Sequence, residues 1–189
     1  VETMLKVVKG GKMVICHKHG KASCPTCKTE NLPTTEICLD EFDNKKDILV
    51  IDSYTQLMDS VVNWIHKKAL AVDDWDNIKS SYDDWAKQGA VSDRFGSIIQ
   101  NAPFNVIVIS HEILAELEDK TKKIVPIGGT RNKSADFGKY FDDIVYTEVV
   151  GGNFMAWAHQ ADKSRIVIGS RTGKKLQDAK GNQLGLEEL

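Results

Sequence analysis

Four cysteines and two histidines near the start of the chain are the residues with the clearest chemistry. The segment CHKHGKASCPTC contains a Cys-x-x-His pair, four further residues and a Cys-x-x-Cys pair. A two-residue gap lets one tight turn direct both side chains at one metal, and three thiolates with one imidazole suit tetrahedral Zn²⁺. The pattern therefore predicts a structural zinc site with the ligands Cys16, His19, Cys24 and Cys27.

The ligand set has alternatives within the same part of the chain. His17 could replace His19, and Cys38 could complete the shell instead of either histidine. Reduced cysteines without a metal, in a mobile loop, are the other interpretation. Four protein ligands leave no open coordination position, so we expect zinc to activate no water. Its role would be to hold together residues 1–46, a Cys/His-rich, zinc-knuckle-like segment with few apolar residues.

Polar residues also follow two apolar runs, at the points where predicted strands end. ILVI is followed by Asp52 and Ser53, and NVIVI is followed by Ser110, His111 and Glu112. A carboxylate held at a strand end can orient the water shell of Mg²⁺ beside a phosphate, and a polar residue on the neighbouring strand can contact the γ-phosphate. The pattern predicts a Mg-nucleotide site; the alternative is that Asp52 is an ordinary acidic strand end or a helix N-cap, with Ser53 as another possible cap.

A third group of polar residues lies in the late segment RIVIGSRTGKK. Arg171 and Lys174 occupy a Gly-rich turn, where their charges suit a phosphate contact within the subunit or in a neighbouring one. An ordinary basic loop is the alternative. The segment is not itself a phosphate loop, because its spacing from Gly169 is one residue short of GxxxxGK(S/T) and Lys175 replaces the hydroxyl residue.

The elements that must position these residues follow from the apolar pattern. DILVIDS and NVIVIS are continuous apolar runs typical of parallel strands buried on both faces, and TQLMDSVVNWIHKKAL has the spacing of an amphipathic helix. Further helices are predicted for VDDWDNIKSSYDDWAKQ and from about Ser92 to Asn101, whereas HEILAELEDKTKK begins as a helix or loop. A Gly-Gly loop with a short helical segment, a hairpin around Gly151-Gly152 and the strand RIVIGS complete the order. This order predicts an α/β fold with a mostly parallel central sheet flanked by helices and antiparallel strands on its C-terminal side.

Composition excludes several classes of protein. The 189 residues carry 25 basic and 27 acidic side chains, for a formal net charge of −2, which excludes a globally basic nucleic-acid binder. No apolar run approaches the roughly 20 residues of a membrane helix, and no signal peptide is recognisable. The cysteines cluster in the first fifth of the chain, which is not the pattern of a secreted disulfide scaffold. We therefore expect a cytoplasmic protein without a membrane partner.

In order and spacing these motifs resemble the RecA-like P-loop ATPases of phages, the AAA-type nucleotide-binding proteins related to recombinases and single-strand annealing factors. The resemblance runs from Asp47 to about Leu186 and rests on DILVIDSYTQL, YDDWAKQ, NVIVISHE, FDDIVYTEVV and RIVIGSRTGKK. It implies a RecA-like fold with a charged hairpin after NVIVISHE. It also implies Mg-ATP as the ligand and action on single-stranded DNA in phage recombination or replication, in the cytoplasm of the host cell.

The same resemblance implies roles for individual residues. Asp52 matches the Walker B carboxylate at the nucleotide, next to Ser53, and His111 matches the sensor residue. Arg171, together with Lys174, matches the basic finger that reaches the nucleotide across a subunit interface. The resemblance therefore implies a homo-oligomer, either a ring or a filament.

The chain departs from this family at the phosphate-binding loop. No GxxxxGK(S/T) motif occurs in the 189 residues, and the family places it upstream of Walker B, where this sequence has only residues 1–46. We expect a native segment to precede Val1; the alternative is a non-catalytic, zinc-stabilised interaction module with a degenerate nucleotide site. The intact mass of the native gene product separates the two: a mass above 21.0 kDa favours the first and a mass of 21.0 kDa the second.

The sequence also predicts how the chain is divided. The expected division is the segment 1–46, a partial RecA-like core over 47–175 and a turn-rich tail over 176–189.

Basic side chains in two regions are candidates for contact with single-stranded DNA. One set interleaves with the predicted zinc site and the other follows the sensor strand: Lys12, Lys18, Lys21 and Lys28, and Lys120, Lys122, Lys123, Arg131 and Lys133. Such side chains can track phosphates along a strand. Acidic neighbours such as Glu116 and Asp119 support the alternative of a solvated charged surface.

Overall fold

A computed structural model describes residues 2–22, 24–43, 46–66, 81–117, 119–157 and 165–171. The helices are α1 (Glu2–Lys9), α2 (Pro25–Thr29), α3 (Tyr54–Ile65), α4 (Tyr82–Gln100) and α5 (Arg131–Asp136). The strands are β1 (Lys12–Cys16), β2 (Thr34–Cys38), β3 (Ile48–Asp52), β4 (Asn105–Ile109), β5 (Glu112–Glu116), β6 (Lys122–Pro126), β7 (Asp143–Ile144), β8 (Tyr146–Val150), β9 (Asn153–Trp157) and β10 (Gly169–Ser170). The fold is therefore mixed α/β.

The chain divides into two compact units. The first unit contains residues 1–111 and 128–130, and the second contains residues 112–127 and 131–189. The three-segment division drawn from composition stays a prediction, and its tail at 176–189 lies outside the described residues. Among the described helices, none is both long enough and apolar enough to cross a bilayer.

The two apolar runs of the sequence form a parallel pair in the first unit. Strands β3 and β4 align from Ile48 opposite Asn105 to Asp52 opposite Ile109. In the part of the chain that the structure describes, each of these strands pairs only with the other, so a wider RecA-like sheet is not seen. The parallel pairing agrees with the pattern of the sequence, because strands in this arrangement carry their polar residues to one common edge.

The expected burial of both faces of this pair is wrong. Side chains on one face, such as Ile51, are buried or half-buried, and Leu49 and Val106 pack against the core of the N-terminal hairpin. The opposite face keeps four β-branched side chains about half exposed: Ile48, Val50, Ile107 and Ile109. Alternation along a strand sends successive side chains to opposite faces, and the described elements that pack against the pair leave this second face exposed.

Helix α3 follows β3 directly and begins at a cap. The hydroxyl of Ser53 accepts a hydrogen bond of 3.3 Å from the backbone N–H of Gln56, which satisfies one of the free donors of the first turn. Tyr54, Met58 and Val61, spaced at i, i+4 and i+7, are the buried residues of the helix. These three residues define the face of α3 that packs against the core.

Helix α4 is one element where the sequence predicted two. It begins at Tyr82 after a capping box in which Ser81 and Asp84 satisfy each other's backbone N–H groups, and it continues to Gln100. The predicted break before Ser92 is absent because Gly89 and Ser92 are buried within a continuous helix. The earlier part of the predicted acidic helix, residues 72–80, lies outside the described residues.

The N-terminal segment is more ordered than its polar composition suggested. Strands β1 and β2 form an antiparallel hairpin, with Lys12 opposite Cys38 and Cys16 opposite Thr34. Met13, Leu39 and Phe104 form a buried cluster, so the hairpin packs against the residue that immediately precedes β4. This segment therefore shares a core with the parallel pair.

The second unit is built mainly from hairpins. Strands β5 and β6 pair antiparallel, so the expectation of a helix or loop at HEILAELEDKTKK was wrong and the charged hairpin implied by the family resemblance is present. The predicted hairpin β8–β9 is also present and turns at Gly151 and Gly152, whose φ angles of 58° and 82° suit a two-residue turn. The predicted strand RIVIGS contributes a bridge from Ile166 to Ile124 and the short strand β10, which pairs with β7.

Candidate functional site

The four predicted zinc ligands lie together in the first unit. The ligand atoms of Cys16, His19, Cys24 and Cys27 are all within 4.8 Å of one another. The Nδ1 atom of His19 lies 3.1 Å from Sγ of Cys27 and 3.6 Å from Sγ of Cys24. A tetrahedral zinc ion with ordinary bond lengths separates nitrogen and sulfur ligands by about 3.5 Å, so the donor set fits this metal.

Local backbone structure explains how the four side chains converge. Cys16 ends β1, and the turn after it closes with a hydrogen bond of 2.9 Å from the N–H of Gly20 to the carbonyl of Cys16. Gly20 has a φ of 59°, a left-handed conformation that costs glycine little. Cys24 occupies the N-cap position of α2 without a side-chain capping hydrogen bond, Pro25 lies in the first turn, and Cys27 lies one turn further along. The turn and the short helix thus direct two ligand pairs at one point.

The ionisation of the thiols also fits a bound cation. Burial, together with the neighbouring thiols of Cys16 and Cys24, raises the pKa of the Cys27 thiol to about 12. Burial also acts to raise the pKa of Cys16, but hydrogen bonds at the backbone of Lys21 and His19, with those from the other two thiols, lower it to about 6. Three thiolates this close together would repel one another, and a divalent metal offsets that repulsion.

The two alternative ligands lie elsewhere. The Nε2 atom of His17 is 2.6 Å from the hydroxyl of Thr35, so this imidazole is bonded to strand β2. Cys38 stands opposite Lys12 at the far end of the hairpin from Cys16. The structure thus brings together the first set of four and leaves both alternatives out of the cluster.

The predicted nucleotide residues of the first unit lie at the carboxyl edge of the parallel pair. Asp52 is the last residue of β3 and is exposed, and Ser53 caps the helix that follows it. Ser110 and His111 follow β4, whose last residue Ile109 stands opposite Asp52. Three of the predicted residues, Asp52, Ser53 and His111, thus share one edge, which is where ligands bind in parallel α/β sheets.

Thr55 joins these two strand ends, although no sequence pattern marked it as a site residue. Its Oγ1 accepts a hydrogen bond of 3.0 Å from the backbone N–H of His111 and lies 3.3 Å from Oγ of Ser110. A threonine in the first turn of a helix carries no distinctive pattern, because threonine is common at helix starts. Only the pairing of β3 with β4 places it beside His111.

A buried polar contact holds α3 to α4 and to the loop that contains Gly128 and Gly129. The hydroxyl of Tyr54 lies 3.4 Å from that of Ser92, and the Ser92 hydroxyl donates to the carbonyl of Gly128. The ring of Tyr54 packs at 5.5 Å from that of Phe95. Because Tyr54 follows Ser53 directly, this buried anchor supports the chain beside Asp52.

The remaining candidates belong to the second unit. The guanidinium of Arg171 donates a hydrogen bond of 3.1 Å to the carbonyl of Lys139, and its backbone N–H donates to the carbonyl of Asp142. Glu112 begins β5 and is hydrogen-bonded to Tyr146, which raises the pKa of that phenol. Lys174 lies outside the described residues.

The predicted DNA-contacting side chains are distributed over both units. Two of the lysines around the zinc cluster form ion pairs: Lys12 with Glu36 at 2.8 Å, and Lys18 with Glu30 at 4.0 Å. Those of the second unit lie on the β5–β6 hairpin and on α5: Lys120, Lys122, Lys123, Arg131 and Lys133. Lys122 stands opposite Glu116, so acidic partners accompany the basic residues.

A mixed α/β fold that brings a carboxylate, a hydroxyl and an imidazole to the carboxyl ends of a parallel pair places them where ligands bind in open α/β sheets. A family model described as an AAA domain matches residues 4–178, and the chain belongs to this family. Membership indicates a nucleotide-binding, ATPase-like function. Neither the curated proteins nor the solved structures contain a significant match to the chain.

Proposed function

We propose that the protein binds and hydrolyses Mg-ATP at the carboxyl edge of the β3–β4 pair, as a RecA-like ATPase. The observation that carries the proposal is the register of the pair, which ends with Asp52 opposite Ile109 and so sets Asp52 and His111 at one edge. Asp52 would hold the water shell of Mg²⁺, and His111 would contact the γ-phosphate that water attacks in line. Arg171, with Lys174, would stabilise negative charge in the site of a neighbouring subunit.

The proposal requires a phosphate-binding loop from residues other than these 189. These residues contain no GxxxxGK(S/T) motif, and the second unit's GSRTGKK lacks the spacing. Family membership and the polar edge support the nucleotide proposal, but they supply only the Mg²⁺ and sensor side of the site. The protein encoded by the native gene is therefore the material for the test.

The test measures Mg-ATP binding by calorimetry in the native gene product and in two variants. Asp52→Asn removes the proposed Mg²⁺ partner, and we expect the affinity for Mg-ATP to fall at least about tenfold while the affinity for ATP without Mg²⁺ is retained. Asp59→Asn is the matched control, because Asp59 is an exposed carboxylate on α3, the helix that follows Asp52, and lies away from the edge. Equal Mg-ATP affinity in Asp52→Asn and wild type would contradict the proposal.

We also propose that Cys16, His19, Cys24 and Cys27 bind one structural zinc ion. The spacing of their ligand atoms and the crowding of three thiols support this role. When bound, zinc supplies charge compensation and a cross-link between the end of β1 and α2. No catalytic role is proposed, since the four donors complete a tetrahedral shell.

The second candidate function is a non-catalytic, zinc-stabilised interaction module with a degenerate nucleotide site. The missing GxxxxGK(S/T) motif is the observation that favours it. This candidate predicts a native gene product with a mass of 21.0 kDa that binds zinc and no Mg-ATP. A larger product with the motif upstream and measurable Mg-ATP affinity would exclude it.

The biological setting remains part of the proposal. We propose a homo-oligomer, either a ring or a filament, that acts on single-stranded DNA in phage recombination or replication, in the cytoplasm of the host cell. The basic residues of the β5–β6 hairpin and α5 support contact with phosphates, and a linear decrease of the logarithm of affinity with that of salt concentration is the expected signature. Binding of single-stranded oligonucleotides at several salt concentrations tests it.

A further inference from the structure

We propose that Thr55 is a positioning residue that holds the main chain of His111 at the nucleotide edge. This inference rests on the proposed function, because it assigns Thr55 a task in the same site. It goes beyond that function by naming a residue that touches neither the nucleotide nor Mg²⁺.

The Thr55 hydroxyl lies where the residues that follow β3 meet the residues that follow β4. Thr55 lies three residues after Asp52, in the first turn of α3, and its Oγ1 accepts the backbone N–H of His111 at 3.0 Å. The same oxygen lies 3.3 Å from Oγ of Ser110, and Ser110 in turn donates to the carbonyl of His111 at 3.1 Å. Both polar groups of the His111 backbone thus take part in this small network.

The position of the network explains why it matters. The ladder between β3 and β4 ends at Asp52 and Ile109, so His111 lies two residues beyond the last strand pairing. A hydrogen bond from α3 to this point ties the chain after β4 to the chain after β3. The distance between the carboxylate of Asp52 and the imidazole of His111 then depends on Thr55.

The expected consequence concerns the rate of hydrolysis more than the binding of nucleotide. A sensor acts on the transferred phosphate only when it is held close to the productive geometry, and small displacements reduce the rate. Loss of one hydrogen bond to a backbone N–H corresponds to a rate decrease of about five- to tenfold. Asp52 retains its own place in β3, so KM should change less than about twofold.

The experiment compares four forms of the native gene product: wild type, Thr55→Val, Thr55→Ser and Ser60→Ala. Valine keeps the shape of threonine without the hydroxyl, and serine keeps the hydroxyl. Ser60 is the matched control, because it is an exposed hydroxyl on the same helix that donates only to the carbonyl of Gln56. Steady-state Mg-ATP hydrolysis gives kcat and KM, and NMR gives the exchange rate of the His111 amide hydrogen without nucleotide.

The proposal predicts that the His111 amide hydrogen exchanges faster in Thr55→Val than in wild type. It also predicts that kcat of this variant falls about five- to tenfold while KM stays nearly constant. Thr55→Ser and Ser60→Ala should match wild type in all three quantities. If Thr55→Val keeps the wild-type kcat while Asp52→Asn loses activity, the positioning role is overturned and the proposed function stands. If wild type neither binds nor hydrolyses Mg-ATP, the proposed function fails and this role fails with it. Should Thr55→Val not fold, the comparison of Thr55→Ala with Thr55→Ser decides, because a positioning role requires only the alanine form to lose rate.

Discussion

Cys16 and Cys38 lie at opposite ends of the β1–β2 hairpin. Cys16 stands opposite Thr34, and Cys38 stands opposite Lys12, four residues away along the ladder. Four residues of strand span about 13 Å, which is far beyond the reach of a shared zinc ion. The hairpin register therefore separates the one cysteine that is only partly buried from the three whose sulfur atoms meet His19.

This separation makes Cys38 the control for the metal site. We expect the purified protein to contain about one zinc ion per chain, Cys27→Ser to lose it, and Cys38→Ser to retain it. Elemental analysis after dialysis measures the zinc content directly, and thermal unfolding reports its effect on stability. Equal zinc content in the two variants would contradict the assigned ligand set.

The two histidines should differ in the same way. His19→Ala removes a ligand whose Nδ1 atom lies 3.1 Å from Sγ of Cys27, whereas His17→Ala removes an imidazole bonded to Thr35. Loss of a residue that only hydrogen-bonds to a metal ligand weakens metal binding by about 10–100-fold. We expect His19→Ala to weaken zinc binding by more than this, because it removes a ligand itself. His17→Ala should leave the affinity for zinc near that of wild type. Competition with a chelator of known affinity measures both. A larger loss in His17→Ala would reassign the fourth ligand.

The capping box of α4 should make stability depend on pH. Hydrogen bonds from the backbone and hydroxyl of Ser81 hold the pKa of Asp84 below its ordinary value, with smaller contributions from Lys87 and His66. A carboxyl with a lowered pKa in the folded state stabilises the fold above its unfolded pKa, and this stabilisation is lost as the pH falls through the folded pKa. We therefore expect the free energy of unfolding to decrease less between pH 6 and pH 3.5 in Asp84→Asn than in wild type.

Urea unfolding at the two pH values measures this difference. Asp83→Asn is the control, because it removes a charge from the same helical turn and leaves the Ser81–Asp84 capping box in place. It should keep the wild-type pH dependence. If Asp84→Asn shows the full wild-type decrease, the capping box does not carry the predicted linkage.

Gly129 should tolerate no side chain. Its φ of 112° is unfavourable for any other residue, and an added Cβ would lie 3.3 Å from Cβ of Ser92 and 3.5 Å from Sδ of Met58. We expect Gly129→Ala to lower the free energy of unfolding by about 1–3 kcal/mol. Gly169→Ala, where an added Cβ meets no atom within 4 Å, should stay within about 0.5 kcal/mol of wild type. Chemical denaturation of the two variants checks the contrast.

Local sequence was sufficient for the features that depend on neighbouring residues. Ser53 could be given as a possible helix cap because a cap acts within three residues, and the apolar runs ILVI and NVIVI could be predicted as strands from their β-branched, apolar residues. The cap at Ser81 was not predicted, because the sequence pattern placed this residue inside a longer acidic helix. The two-residue gaps of the cysteine segment likewise act within single turns. These are short-range effects, and the residue order alone contains them.

Other features depend on contacts between residues distant in the sequence. The fourth candidate ligand is His19 because β1 pairs with β2 in a register that turns His17 to Thr35 and carries Cys38 away. Thr55 meets His111, 56 residues away, only because β3 and β4 run parallel in one register. The strand at HEILAE exists because β6 pairs with it, although its charged pattern also fits a helix. The free energy of strand pairing depends on the side chains of both strands, so the sequence of one strand alone does not determine it.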